Sequence, residues 1–272
     1  MSENRHSTWR ADASWNPCQY EKFSTHRLRA AIELLSRIPL ASPEVIVDLG
    51  CGTGNVTRLI AKRWPSARMY AFDNSEEMLK KAQSDSSRIH WDQADIADWV
   101  PPEPPDLIYS NATLHWLGNH RKLFPRLAAN LRAGGCLAVQ MPLSWDLPSH
   151  RLMRATLDDG GAGGQSLGTE ALRKSVARKW VEQAEFYFDL LEGAARSIDI
   201  WETEYLQVLE GADAVFEWVQ GTGLRPILNG LAEEERQVFL IEYRRRLSEA
   251  YPMKPNGKTL YRFRRLFIVA VV

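Results

Sequence analysis

The residues best suited to chemistry form a glycine-rich loop between a predicted strand and a predicted helix. The loop reads Asp48-Leu49-Gly50-Cys51-Gly52-Thr53-Gly54-Asn55. Glycines at this place allow φ angles that a Cβ disfavours, and they let the backbone approach a ligand closely. A nucleoside-bearing ligand would then lie at the carboxyl edge of the first strand. The alternative is a tight turn that binds nothing.

Acidic residues at two further strand ends favour the interpretation of the loop as a ligand-binding site. Asp73 ends the second predicted strand, about twenty residues after the loop, where a carboxylate can accept both hydrogen bonds of a ribose diol. Ala94, Asp95 and Ile96 end the third strand, where the carboxylate can bind an adenine amino group and an apolar neighbour can cover the ring. Acidic strand ends in register with a glycine loop indicate a nucleoside site rather than a plain turn.

The two leading candidates for a cofactor with such a nucleoside are S-adenosylmethionine and NAD. The NAD fingerprint is Gly-x-Gly-x-x-Gly with a helix N-terminus facing the pyrophosphate, whereas this chain has Gly-x-Gly-x-Gly preceded by Asp48. A carboxylate there would repel pyrophosphate but can anchor the cationic amino-acid end of S-adenosylmethionine, often through water. No tyrosine has a lysine four residues later, as short-chain dehydrogenases do. We therefore expect S-adenosylmethionine, with S-adenosylhomocysteine as the product.

The elements that must position these residues alternate between strands and helices. Such alternation predicts right-handed βαβ crossovers and a mostly parallel sheet covered on both faces. Asn74 with Glu77 three residues later predicts a capping box at the start of one helix. The predicted strands are 45–49, 69–72, 89–91, 106–110 and 135–141, and the helices are 21–38, 55–64, the one beginning at 74, and 120–131.

The pattern changes after Pro142. A glycine-rich segment at 158–168 is typical of the links in mobile lids. The predicted helices beyond Pro142 are 169–192, 212–219 and 233–251, and the predicted strands are 198–209 and 263–272. We expect one domain overall. Residues 1–142 would form an N-terminal helical cover and the cofactor-binding core, and 143–272 a helical lid with substrate-binding additions and the last two strands of the same sheet.

Composition excludes several classes of protein. The 272 residues are 44% hydrophobic and 25% charged, which suits one α/β domain with a lid. The 34 basic and 34 acidic residues cancel, so no global field attracts nucleic acid or anionic lipid. The three cysteines are dispersed and the histidines lack ligand spacing, so we expect neither a disulfide framework nor a metal. With neither a signal peptide nor a membrane span in the sequence, we expect a cytoplasmic protein.

The loop and the acidic strand ends resemble the class I S-adenosylmethionine-dependent methyltransferases over residues 45–141. A narrower set of motifs is similar to the trans-aconitate 2-methyltransferase family over nearly the whole chain. These motifs are Trp15-Asn16-Pro17-x-Gln19-Tyr20-x-Lys22-Phe23, Ser110-Asn111-Ala112-x-Leu114-His115-Trp116, Gln140-Met141-Pro142, Gly221-Thr222-x-Leu224-Arg225-Pro226, Ala250-Tyr251-Pro252 and Phe263-Arg264-Arg265-Leu266-Phe267.

This resemblance implies a Rossmann-like fold with a seven-stranded, mostly parallel sheet, helices on both faces and a helical lid. It implies transfer of a methyl group to trans-aconitate, giving the monomethyl ester. The segment 158–168 departs from the family, so nothing is carried over to it. A carboxylate is already ionised near pH 7. We therefore expect no catalytic acid or base, only proximity, orientation and desolvation.

An anionic acceptor requires cationic side chains, and the arginine fork suits carboxylates best. Between Arg244 and Val272 the chain has eight basic residues against one acid, Glu249. We assign Arg245, Arg246 and Arg262 to a solvated helix face and a charge-protected edge strand. The candidates for substrate binding are Arg225, which lies in a predicted loop, and Arg264 or Arg265.

Other candidates have a functional and a structural interpretation. His115 can donate a hydrogen bond to a substrate carboxylate or be a satisfied core histidine. Trp116 can wall the pocket beside cofactor and substrate or pack under the next helix. Gln19 and Tyr20 start a helix that in similar enzymes covers the cofactor, although Tyr20 can also be a packing contact. Further predicted cofactor contacts are Asn55, Asn74, Met78 and Asn111.

Two alternatives to a trans-aconitate enzyme stay open. The acceptor could be another small or aliphatic carboxylic acid, in which case the lid would be apolar. The chain could also be a regulator that binds S-adenosylmethionine without catalysis. We expect a monomer or a weak homodimer without nucleic-acid or membrane partners.

Overall fold

The computed structural model describes residues 24–83, 88–160 and 163–272, and their strands form one sheet of order β3-β2-β1-β4-β5-β7-β6. The first five strands pair in parallel, and β7 is antiparallel to β5 and β6. This confirms the predicted mostly parallel, seven-stranded fold. The strands are β1 (Val45–Leu49), β2 (Arg68–Asp73), β3 (Ile89–Gln93), β4 (Leu107–Asn111), β5 (Cys136–Pro142), β6 (Ser197–Glu210) and β7 (Lys258–Val271).

Helices cover both faces of the sheet. The α helices of the described residues are α1 (Ser24–Ser36), α2 (Asn55–Arg63), α3 (Glu76–Ala82), α4 (His120–Ala129), α5 (Pro148–Asp159), α6 (Glu170–Ala177), α7 (Ala184–Leu191), α8 (Ala214–Gln220), α9 (Arg225–Gly230) and α10 (Glu233–Ala250), and a short 3₁₀ helix spans Leu114–Trp116.

Every residue of β1 and β5 is buried, because these central strands are covered on both sides. On one face Val47 and Val139 pack in a core with Phe124 of α4 and Tyr187 of α7. On the other face the core includes Leu34 of α1, Ile60 of α2 and Tyr109 of β4. Successive side chains on each strand therefore serve opposite cores.

The last two strands extend well beyond the rest of the sheet. Pro142, the last residue of β5, is level with Arg265, whereas β7 begins at Lys258 and pairs with β6 over its whole length. The part of this antiparallel strand pair that extends past β5, which we call the projecting hairpin, is about 20 Å long at the rise of a β-strand. The helices α8, α9 and α10 lie between β6 and β7 in the sequence. With α5 and α6 they build a separate core against Tyr261 and Phe263 of the projection. We call these five helices the lid.

Helix α1 docks on β6 through one carboxylate. Glu33 accepts hydrogen bonds from the Trp201 indole at 2.8 Å, from the Thr203 hydroxyl at 2.6 Å and from the Tyr205 hydroxyl. The three donors alternate along β6, so they share the sheet face that α1 covers. The helix is therefore held across the base of the projecting hairpin.

Several predicted elements differ from the structure. The helix predicted over 169–192 is wrong, because the chain leaves the helix at Arg178 so that Val181 can enter the main core. The capping box is also wrong, since Ser75 and not Asn74 caps α3 by accepting a hydrogen bond from the Met78 N–H at 3.3 Å. The terminal strand begins five residues earlier than predicted, at Lys258. Helix α5 was not predicted.

The glycine-rich segment starts later than its composition indicates. Helix α5 continues to Asp159, and Gly160 ends it with a φ of 59°. Leu167 is buried, and its N–H donates a hydrogen bond to the carbonyl of Leu157 at 2.7 Å. Both described ends of this segment are thus tied to the lid. In the described part of the chain, no helix has the length and apolar character needed to cross a membrane.

Candidate active site

The glycine loop joins β1 to α2 with left-handed backbone at three positions. Gly50, Gly52 and Gly54 have φ angles of 80°, 55° and 77°, as the sequence predicts for a turn that a Cβ disfavours. A Cβ at Gly50 would lie 2.1 Å from the Thr113 hydroxyl, because the chain after β4 crosses directly over it. Among the described residues, nothing lies within 4 Å of a Cβ built at Gly52. This part of the structure therefore leaves the backbone at Gly52 open to a ligand at the carboxyl edge of the sheet.

Asp73 lies beside this loop at the end of β2. Its Oδ2 accepts a hydrogen bond from the Gly52 N–H at 2.9 Å, and its Oδ1 accepts one from the Ser75 N–H at 2.9 Å. Burial raises the pKa of Asp73, while the hydrogen bonds from Ser75 and Gly52 oppose that rise. The carboxylate thus orders the loop and remains partly accessible at its rim.

Asp48 lies beneath the loop and is only 2% exposed. Its Oδ2 accepts a hydrogen bond from the Thr57 hydroxyl of α2 at 2.6 Å. Burial raises the pKa of Asp48 to about 7, and the nearby charge of Asp73 adds to the rise. A cation placed above the loop would favour the ionised form. The Asp48 carboxylate can therefore attract a positively charged ligand group, although its burial beneath the loop favours a contact mediated by water.

The remaining predicted cofactor residues surround the same edge. The Asp95 side chain is exposed and accepts a hydrogen bond from the Ala97 N–H at 2.9 Å, and the Ala94 N–H bonds to the Asp73 carbonyl at 3.1 Å. Ile96 and Met78 are buried beneath this rim. Asn55, the first residue of α2, and Asn74, which follows β2, are both exposed. The structure thus brings these residues together with the glycine loop.

The chain turns sharply where β4 ends. Ala112 has a φ of 53°, which is unusual for a residue with a Cβ, and its N–H donates a hydrogen bond to the Gln140 carbonyl at 2.9 Å. This turn leads from Asn111 into the 3₁₀ helix that carries His115 and Trp116. The His115 and Trp116 rings are 4.7 Å apart, and Trp116 is 43% exposed. Trp116 is therefore available to line an opening rather than packed under the next helix.

His115 faces the interior. Its Nδ1 is buried and has no hydrogen-bond partner among the described residues, so it is not the satisfied core histidine that we weighed. Burial, together with the positive charge of Arg265, lowers the pKa of His115 to about 3. The imidazole is therefore neutral over the physiological range, and Arg265 lies near it.

Arg264 and Arg265 point to opposite faces of β7. Arg265 is 5% exposed, and its Nη1 donates a hydrogen bond to Gln140 Oε1 on β5 at 3.1 Å. Arg264 is largely exposed and pairs with Glu202 on the neighbouring strand. Only Arg265 shares a side of the sheet with Gln140 and lies near His115. Arg262 pairs with Glu204, and Arg245 with Glu242 and Glu249, on the surface.

Arg225 is brought in by the lid. It begins the short helix α9, so the loop predicted around it is wrong. It is partly buried, and burial lowers its pKa while the charge of Glu77 on α3 opposes that decrease. Glu77 is therefore close enough to act on Arg225 across the gap between lid and core. Arg225 therefore belongs to the side of the lid that faces α3.

Sequence reasoning missed two polar residues of this region. Gln140 is completely buried, and its signals in the sequence are a polar residue within an apolar strand and a place in the motif Gln140-Met141-Pro142. His150 lies in the first turn of α5, the helix that was not predicted, and its Nδ1 is 3.1 Å from the Ser149 hydroxyl. Burial lowers the pKa of His150 to about 4, and its positive form is close enough to lower the pKa of His115.

Two predicted residues, Gln19 and Tyr20, lie outside the described residues, so their role as a cofactor cover stays a prediction. Within residues 24–83, 88–160 and 163–272, no group of three or more His, Cys, Asp or Glu side chains has the arrangement to hold a metal ion. The arrangement described above offers an acidic rim with a glycine loop over β1–β3 and, next to it, the buried cation Arg265 beside Gln140.

Sequence comparisons place the chain among known proteins. Residues 46–135 match the family of proteins described as "Methyltransferase domain". The chain is 45% identical to a trans-aconitate 2-methyltransferase of Azoarcus sp. (strain BH72) over 258 residues, covering 95% of this chain and 99% of the relative. It is 46% identical to a trans-aconitate 2-methyltransferase of Pseudomonas aeruginosa (strain UCBPP-PA14), covering 95% of this chain and 94% of the relative.

Solved structures show the same fold at low identity. The YcgJ protein from Bacillus subtilis superposes with a TM-score of 0.57 at 12% identity, covering 90% of this chain and 98% of that one. The phosphoethanolamine N-methyltransferase 2 of Haemonchus contortus, in complex with S-adenosylhomocysteine, superposes with a TM-score of 0.52 at 15% identity, covering 89% of this chain and 52% of that one. These similarities support the fold alone.

Proposed function

The chain belongs to the trans-aconitate 2-methyltransferase family, and on that premise we propose that it esterifies one carboxylate of trans-aconitate with the methyl group of S-adenosylmethionine. The observation that carries the choice of acceptor is Arg265, a buried cation next to the carboxyl edges of β4 and β5. The positive charge and the forked donors of an arginine suit the carboxylates of a polycarboxylate.

The rim of the sheet fits the cofactor on structural grounds. The open space over Gly52 allows a ligand to approach the backbone, and Asp73 can accept hydrogen bonds from ribose hydroxyls. We assign Asp48 to the cationic amino-acid end, Asp95 to the adenine amino group and Trp116 to the outer wall. Ala94, Ile96 and Met78 supply apolar surface, and Asn55, Asn74 and Asn111 supply polar contacts. When bound, S-adenosylmethionine supplies an electrophilic methyl group on its sulfonium.

The chain itself contributes binding and orientation. Arg265 from the sheet and Arg225 from the lid attract the charges of the acid from two sides, and neutral His115 can donate a hydrogen bond to a carboxylate oxygen. The lid core and the projecting hairpin keep water from this interior, which raises the reactivity of an ionised oxygen. No proton must be removed from a carboxylate, so the reaction needs no general base. Esterification removes one negative charge, and the weaker attraction to arginine favours release of the product.

The location and assembly of the protein are part of this proposal. We propose an enzyme of the cytoplasm that acts as a monomer or weak homodimer on a small acid, without nucleic acid. The acid comes from solution, because the zero net charge gives no general attraction to larger anions.

Transfer of labelled methyl groups tests the proposal. The enzyme is incubated with labelled S-adenosylmethionine and a panel containing trans-aconitate, cis-aconitate, citrate and an aliphatic monocarboxylic acid. We expect label in trans-aconitate, released as methanol by base as an ester requires. Label in the aliphatic acid alone would indicate a different carboxyl methyltransferase. No label in any acid, with tight binding of S-adenosylhomocysteine, would indicate a regulator without catalysis.

A further inference from the structure

Three buried polar atoms lie where β4 and β5 end, and none has a hydrogen-bond partner among the described residues. They are Asn111 Oδ1, Gln140 Nε2 and His115 Nδ1. Asn111 and Gln140 are register partners on adjacent parallel strands, so their side chains project from the same face of the sheet, about 5 Å apart at the backbone. Unpaired polar atoms are rare in protein interiors, and a cluster of them at one edge needs an explanation such as a ligand.

The orientation of the Gln140 amide follows from its neighbour. Arg265 can only donate hydrogen bonds, so the oxygen of the Gln140 amide must face it, at 3.1 Å from Nη1. The amide nitrogen then points away from Arg265 with its hydrogens unpaired. Gln140 is completely buried, so water does not satisfy this nitrogen from the surface.

A neutral donor suits the carboxylate that accepts the methyl group. An arginine fork on that carboxylate would engage both oxygens and neutralise the charge that drives the attack. An amide N–H can instead hold one oxygen and leave the lone pairs of the other oxygen available. Arg265 then influences this carboxylate indirectly, because it orients the amide that binds it.

We propose that Gln140 Nε2 binds the methyl-accepting carboxylate through its non-reacting oxygen, and that Arg265 is the positioning residue that fixes the amide for this contact. This inference rests on the proposed function and adds to it the residue that selects the reacting carboxylate. Gln140 takes no part in bond making, in which the free oxygen bonds to the methyl carbon as the carbon–sulfur bond breaks.

Two substitutions test the contact. Gln140→Glu keeps the shape and the acceptor for Arg265, but it replaces the donor with a negative oxygen. Gln140→Met removes the donor without adding charge. We expect the KM for trans-aconitate to rise about 10- to 100-fold in Gln140→Met, as for a lost hydrogen bond to a charged group, and more in Gln140→Glu. The affinity for S-adenosylhomocysteine should stay within about twofold, since the loop is untouched.

Gln207 provides a matched control on β6. It is also completely buried, its Nε2 has no partner in the described part of the chain, and its Oε1 is 2.8 Å from His26 Nδ1. Gln140 of β5 is level with Phe267 of β7, and Phe267 is level with Trp201 of β6. Gln207 lies six residues further along β6 than Trp201, so it is about 20 Å from Gln140. We expect Gln207→Met to leave the KM for trans-aconitate within about threefold of the wild type. An equal rise in both methionine variants would show a general loss of packing and overturn the proposal.

Arg265 is tested through Gln140 in a double-mutant cycle. If Arg265 positions the amide, Arg265→Lys should raise the KM in the wild-type background and raise it much less when Gln140 is already methionine. Equal effects in both backgrounds would contradict the positioning role.

Binding separates this inference from the proposed function. Trans-aconitate is titrated into each variant saturated with S-adenosylhomocysteine. If the wild type binds the acid but transfers no methyl group, the proposed function fails, while weaker binding by Gln140→Met would still support the contact. If folded Gln140 variants bind and react like the wild type, the contact is refuted although the function stands. If the wild type does not bind the acid, both fail.

Discussion

The Asp73 carboxylate accepts a hydrogen bond from the backbone N–H of Gly52 at 2.9 Å. The residue that we assign to the ribose therefore also orders the loop on which the cofactor would lie. Its second oxygen accepts from Ser75, which caps α3. One side chain thus links the ends of β1 and β2, and a change there should affect cofactor binding in two ways.

Substitution of Asp73 should weaken cofactor binding. We expect Asp73→Ala to lower the affinity for S-adenosylhomocysteine by about 1–3 kcal/mol, because ribose hydroxyls and the Gly52 N–H lose their acceptor. Isothermal titration calorimetry measures this change directly. Asp92→Ala, an exposed carboxylate on β3, serves as the control and should bind like the wild type. Unchanged affinity in Asp73→Ala would refute the ribose assignment.

The buried Asp48 should make cofactor binding depend on pH. Burial raises its pKa to about 7, so the free protein holds a proton there below pH 7. A cationic amino group above the loop favours the ionised carboxylate, so binding expels this proton. Affinity should therefore rise about tenfold from pH 6 to pH 8, since a group with a pKa near 7 is about one-tenth ionised at pH 6. Calorimetry in two buffers of different ionisation enthalpy counts the protons released.

Asp48→Asn supplies the control for this pH dependence. The amide oxygen can still accept the Thr57 hydroxyl, which keeps the packing, but the side chain no longer titrates. We expect weaker binding with a flat profile between pH 6 and pH 8. A profile in the variant as steep as that of the wild type would assign the titration to another group.

The sequence predicts the core of this fold better than its lid. The strands β1, β2, β4 and β5 follow from buried apolar runs, and only the pairing of β1 with β4 joins two of the first five strands that are not consecutive along the chain. The acidic residues at the ends of β1, β2 and β3 fall together as expected. The helices α5 and α9 were missed because their apolar residues pack against other lid helices, α5 against α10 and α6, and α9 against α6. Val181 shows the same effect, since a contact with the main core ends a helix that local pattern would continue.

The two neighbouring arginines show where site prediction stops. Arg264 and Arg265 have the same chemistry, and the sequence places both on the last strand. Which one faces the interior depends on register with β5 and β6 and on α1 and the lid covering one face. Gln140 was overlooked for a similar reason, because its role depends on Arg265 across the sheet.

Because Arg264 and Arg265 are neighbours with the same chemistry, they allow a matched test of which arginine supports substrate binding. We expect Arg265→Lys, which keeps the charge but loses the fork, to lower kcat/KM for trans-aconitate about 10- to 100-fold. Arg264→Lys should change it less than about twofold, because that side chain is exposed and pairs with Glu202. Steady-state kinetics with saturating S-adenosylmethionine gives both values, and thermal unfolding shows whether each variant is folded. The opposite order would move the acid to the other face of the sheet.

The Glu33 contact between α1 and β6 should make stability sensitive to acid. Burial alone would raise the pKa of Glu33, but hydrogen bonds from Thr203, Tyr205 and Trp201 outweigh it and hold the pKa below its usual value. The folded state therefore binds fewer protons at Glu33 than the unfolded state. The stabilisation that Glu33 gives to the folded state is present above the ordinary glutamate pKa, and it is lost as the pH falls through the lowered pKa of the folded state. Glu33→Gln should unfold at lower urea concentration than the wild type at pH 7, with the difference shrinking toward pH 3.5. Glu44→Gln, a side chain that is 73% exposed beside Arg132, should match the wild type at both pH values. A constant difference between Glu33→Gln and the wild type across this range would show that α1 is held by packing rather than by the ionised carboxylate.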